Sequence, residues 1–76
     1  MTKEEWLEKF ADVLVGIMND RGISQRDLAY YSGISEATIS KYINKQQMPG
    51  PKAIVNISRV LKYDIAGLMD FGSYID

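Results

Sequence analysis

Neither cysteine nor histidine occurs in these 76 residues. Without thiols there is no disulfide framework and no thiolate metal site. Without imidazole the commonest general base and metal ligand are missing, and no Ser-His triad can be built. There is also no glycine-rich phosphate cradle and no pair of acids at a plausible cleft spacing. An enzyme is therefore not expected, and neither is a metal, a cofactor or a small-molecule ligand. No run is long or apolar enough to span a membrane, so no membrane partner is expected. Residues 1–6 lack the charged-then-apolar layout of a secretory signal, which makes a cytoplasmic location the expectation.

Net charge is nearly absent too: nine cations against ten acids leave −1. The distribution is uneven. Residues 1–36 carry four cations and seven acids, residues 64–76 carry three acids, and residues 37–63 carry Lys41, Lys45, Lys52, Arg59 and Lys62 with no acid at all. A polyanion responds to this local field within a Debye length, not to the total.

What is present fits one small all-α domain over residues 1–76, with no repeat, linker or low-complexity tract. Five helices are expected. The first runs from about Lys3 to Asn19, capped by Thr2 with Glu5 completing a capping box, and ended by Gly22. Trp6, Phe10, Val13, Leu14 and Ile17 recur on one face at helical spacing. They look like core packing and not a base-stacking platform. The second helix covers about Gln25 to Tyr31. Ser24 caps it, and Asp27 is placed to bond back in capping-box fashion. The third starts after Ser35 and continues to about Asn44, with Glu36 in the dipole-favoured first turn. Residues 45–51 form a loop, because two prolines and a glycine cannot continue a helix. Pro51 opens a fourth helix through Leu61, with Ile54, Ile57, Val60 and Leu61 inward. Asp64 caps a short fifth helix holding Ile65, Leu68 and Met69.

Residues 24–44 carry the strongest signal. Ala29 is small where two helices would cross. Gly33 tolerates positive φ in the turn four positions later, and Ile39 anchors the next helix six positions after that. This is the helix-turn-helix spacing, whose second helix is built to enter the DNA major groove. At 100° per residue, Ile39 and Ile43 lie about 40° apart, with Tyr42 about 60° to the other side. Those three face the core. Opposite lie Ala37, Ser40, Lys41 and Asn44, a short polar flank suited to base edges. Lys41 can donate to guanine, and Ala37 and Thr38 can touch a thymine methyl. Glu36 has two readings, a first-turn acid or an acceptor from cytosine N4. Gln25, Asn44 and Lys45 are candidate phosphate contacts and Lys52 a further one, against the alternative of a solvated charged surface. Tyr30 and Tyr31 are adjacent, so one of them is expected outward.

With these residues assembled, the chain resembles the lambda-repressor-like, Cro/C1-type (XRE) helix-turn-helix family over roughly residues 8–70. The motifs that carry the likeness are residues 24–29, the turn 32–35, the core 38–42 and the junction 61–65. The resemblance implies a five-helix DNA-binding transcriptional regulator that meets phosphate with Gln25 and reads bases from Glu36, Ala37 and Lys41. It implies a backbone clamp at Asn44. Family members often have Glu before that Asn and Gly after it. Ile43 and Lys45 stand there instead, so the end of the third helix is expected to differ locally. A short domain of this type implies repression by operator occupancy, as in phage or mobile-element regulators, and a homodimer on double-stranded DNA.

Two questions stay open at this point. The apolar tail, residues 71–76, can fold back on the first helix or form a two-fold contact with another subunit. The acidic ends and that tail also suit an alternative, the same fold used as a protein-interaction module of antitoxin-like or repressor-binding type with weak DNA binding.

Overall fold

The computed structural model describes residues 2–65 and 67. Its helices are α1 (Lys3–Arg21), α2 (Gln25–Ser32), α3 (Glu36–Ile43) and α4 (Pro51–Leu61). No strand occurs among the described residues.

The first three helices begin where a side chain caps a free amide. Thr2 Oγ1 accepts from Glu5 N at 3.1 Å and the Glu5 carboxylate returns the bond, completing the expected capping box. Ser24 Oγ accepts from Asp27 N at 3.1 Å. The reciprocal bond from Asp27 does not form, so only half of that expected box exists. Ser35 Oγ accepts from Thr38 N at 3.1 Å. Pro51 sits in the first turn of α4 behind Gly50, which offers no side-chain cap. The ends are as local as the starts: Gly22 (φ 67) and Gly33 (φ 74) are left-handed. α1 runs two residues beyond the expected Asn19, because its reversal waits for Gly22.

The core lies between the helices. α2 packs against α3 and α4, and α1 against the same two. Trp6, Phe10, Leu14, Leu28, Ile39, Ile54, Ile57, Leu61 and Ile65 are all 0% exposed. Trp6 and Phe10 stack at 5.3 Å between ring centroids, and Phe10 meets the ring of Tyr42 edge-on at 6.1 Å. A fully buried side chain of this size contributes about 1.5–3 kcal/mol, so α3 is held chiefly through Ile39 and Tyr42.

Two expectations need correction, and a third falls largely outside the described residues. Four helices are defined among the described residues, and the count of five is not supported. Lys62 turns left-handed (φ 54) and ends α4. Asp64 does behave as a cap, its Oδ1 accepting from Gly67 N at 2.9 Å, but Leu68 and Met69, which would form the face of the fifth helix, lie outside the described residues. Tyr30 and Tyr31 both point outward, 80% and 63% exposed, because α2 seals its inner face with Leu28 and the smaller Ala29 and Ser32. Ile43 is half-buried, so the inner face of α3 is narrower than expected. The tail 71–76 also lies outside the described residues.

Candidate nucleic-acid interface

The site is the outer flank of α3 and what surrounds it. The turn before α3 is shaped by three residues. Gly33 takes positive φ, and its N–H donates to Ala29 O at 3.1 Å. Ser32 is 5% exposed. Its hydroxyl donates to Ala29 O at 3.4 Å and accepts from Ile34 N at 3.3 Å. Ile34 packs against the core from the turn itself. The sequence marked Ser32 and Ile34 only as members of the turn 32–35, with no role of their own. The signal for Ser32 was its place one residue before the turn glycine, where serine can bond local backbone.

On α3, Ile39 is 0% and Tyr42 4% exposed. Burial pushes the Tyr42 hydroxyl above its ordinary pKa. Glu36, Ala37 and Lys41 are exposed. Thr38 and Ser40 are half-buried and already engaged. Thr38 Oγ1 accepts from Ser35 Oγ at 2.8 Å, and Ser40 Oγ accepts from Asn44 Nδ2 at 3.2 Å. The structure thus divides the five candidate base-reading residues into three that are open and two tied into the helix.

The candidate phosphate contacts divide as well. Gln25, at the start of α2, and Lys52, at the start of α4, are exposed. Asn44 Nδ2 donates to Ser40 O at 2.9 Å as well as to Ser40 Oγ. The Asn44 amide nitrogen is thus turned back on Ser40, while its Oδ1 remains open to other partners. Lys45 has left-handed backbone (φ 62). Gln46 N donates to Lys41 O at 2.8 Å and Lys45 N to Tyr42 O at 3.1 Å, the paired bonds of a Schellman ending. Its ammonium lies 3.8 Å from the Asp12 carboxylate on α1. Past it, the loop is pegged by Pro49, which is fully buried.

Two capped helices joined by a left-handed glycine, with the second anchored on one side and bare on the other, form a helix-turn-helix. The helix-turn-helix family matches residues 17–68. The chain belongs to this family, in its Cro/C1-type form. This helix-turn-helix domain is 35% identical over 71 residues to the HTH-type transcriptional repressor RghR of Bacillus subtilis (strain 168), covering 92% of the chain and 53% of that protein. It is 37% identical over 70 residues to the uncharacterized HTH-type transcriptional regulator RghRB of the same organism, covering 91% and 50%. The domain spans about half the length of the curated relatives it matches. No solved structure gives a significant match. Among the described residues no helix is long and apolar enough to cross a membrane.

Proposed function

We propose that this helix-turn-helix domain binds double-stranded DNA sequence-specifically, with α3 in the major groove, as part of a transcriptional repressor that acts by occupying its operator. One observation carries the proposal: α3 is locked by Ile39 and Tyr42 while Glu36, Ala37 and Lys41 stand open on its other side. Lys41 is the donor for a guanine edge, Ala37 the apolar contact for a thymine methyl, and Glu36 the acceptor for cytosine. Gln25 and Lys52 flank α3 at the starts of α2 and α4, where unpaired amides and helix dipoles favour phosphate. The likeness to RghR, a transcriptional repressor, supports the sign of regulation. A phage or mobile-element type does not follow from the chain's length, because the matched relatives are about twice as long as the matched segment.

A homodimer on DNA belongs to the same proposal, since one helix in one groove reads only a few base pairs. Selection of bound duplexes from a random library at two salt concentrations tests both parts. The expected motif is two-fold symmetric, with half-site centres about 34 Å apart and affinity that falls with salt. A motif without symmetry would remove the homodimer. If no motif is enriched and amide NMR signals over residues 36–44 stay unmoved on titration with duplex, the DNA reading fails.

One observation favours the second reading, a protein-interaction module. Tyr30 and Tyr31 project together, their rings edge-to-face at 5.1 Å, and tyrosine is enriched where proteins meet. A stable hetero-complex combined with indifference to DNA would favour that module.

A further inference from the structure

We propose that Asp12 limits the affinity of this domain for DNA by competing with phosphate for Lys45. The inference rests on the DNA-binding reading above, takes Lys45 as a phosphate contact beside Gln25 and Lys52, and adds a residue of α1 that this reading leaves out.

Asp12 and Lys45 form the one ion pair among the described residues, at 3.8 Å. It joins α1 to the first residue beyond the cap of α3. The two side chains are 75% and 43% exposed, so water screens the pair and the fold gains little from it. The consequence lies in charge balance. Residues 37–63 contain five cations and no acid, and this contact brings a carboxylate from α1 against that block. Glu8 lies one turn before Asp12 on the same face of α1, about 40° from it, and both are exposed.

Lys45 has little freedom to avoid this neighbour through its backbone. Its left-handed conformation is held by the two hydrogen bonds that close α3. Only the side chain can exchange one partner for another. When a phosphate takes Lys45, the Asp12 carboxylate loses its cation and is left close to a second anion. Binding then carries the loss of one ion pair and a new like-charge repulsion. A cation that still shares its charge with Asp12 also neutralises less than one phosphate, which flattens the salt dependence.

The test uses fluorescence anisotropy with a mixed-sequence duplex of about 20 base pairs, two helical turns, at several salt concentrations. A phosphate contact is sequence-independent, so no operator is needed. Asp12→Asn should tighten binding by about 3- to 10-fold at low salt and steepen the log–log salt slope by up to about one. Asp20→Asn makes the same charge change about 12 Å further along α1 and should give well under half that gain. In the Lys45→Ala background, the gain from Asp12→Asn should shrink to about twofold or less. Equal gains from Asp12→Asn and Asp20→Asn would reduce the effect to net charge and overturn the proposal. An undiminished gain in the Lys45→Ala background, or no gain at all, would overturn it too. Absence of duplex binding by the unsubstituted protein would mark failure of the DNA reading itself and take this inference down with it.

Discussion

At the scale of single residues, Lys41 carries the most specific expectation. It is the exposed cation on the open flank of α3, in the last turn of that helix. Lys41→Ala should cost about 1–3 kcal/mol on the preferred site and relax preference at one base pair. Binding measured against single-base variants of the selected motif checks this, and a uniform loss across all variants would reassign Lys41 to phosphate. Gly33 is decided by its backbone. A Cβ there would meet nothing within 4 Å, yet φ is 74. Gly33→Ala should therefore lower stability by about 1–2 kcal/mol through conformation alone, and a neutral result in urea melts would contradict the turn geometry. Tyr42 gives a pH signature. Its pKa is raised by burial in the folded state, so its contribution is intact below the ordinary tyrosine value of about 10. Above that value the unfolded chain releases the proton first, and stability falls as pH rises toward the folded-state pKa. Tyr42→Phe should flatten this alkaline loss in melts compared across the range, whatever it does to stability at neutral pH.

Elements were legible in the sequence wherever a boundary rests on neighbours in the chain. Thr2, Ser24 and Ser35 cap amides three residues ahead, Gly22 and Gly33 reverse the chain, and Pro51 opens α4. Each signal is contained in four or five residues, so no tertiary knowledge is needed. The ends that lysine makes were not legible. Lys45 and Lys62 both take left-handed backbone, and nothing in a lysine announces that. Packing on either side imposes it, at a cost of about 1–2 kcal/mol for a residue with a Cβ. Lys62→Gly should relieve this strain and raise stability by roughly 0.5–1 kcal/mol, since glycine's greater unfolded-state freedom offsets part of the gain. Thermal melts of the two proteins would show it. No increase would mean that the lysine side chain contributes as much at this position as the backbone strain removes.

For the whole molecule, what escaped the sequence is what joins distant segments. Arg21 Nε donates to Leu61 O at 3.0 Å, tying the end of α1 to the end of α4 across 40 residues. Within one helical turn, Asn44 also directs its Nδ2 to Ser40, a local bond that the sequence alone does not assign. The basic block 37–63 was visible as composition, but the acid that meets it comes from α1, 33 positions away from Lys45 in the chain. The candidate interface is accordingly narrower than the sequence suggested. Glu36, Ala37, Lys41, Gln25 and Lys52 are open, Thr38, Ser40 and Asn44 already have partners within the protein, and Lys45 shares its charge with Asp12.

The sequence by itself determined an all-α chain, the limits of its helix-turn-helix, the identity of its turn glycines and the apolar residues that pin α3. Capping, periodicity and left-handed glycines act over one or two turns, and one or two turns of sequence contain them whole. Tertiary structure alone decided which acid shares a cation with the basic block, and which carbonyl at the end of α4 the Arg21 side chain meets. Those outcomes depend on helices meeting in space, where a carboxylate and an ammonium interact according to the few ångströms between them and not the residues that separate them along the chain.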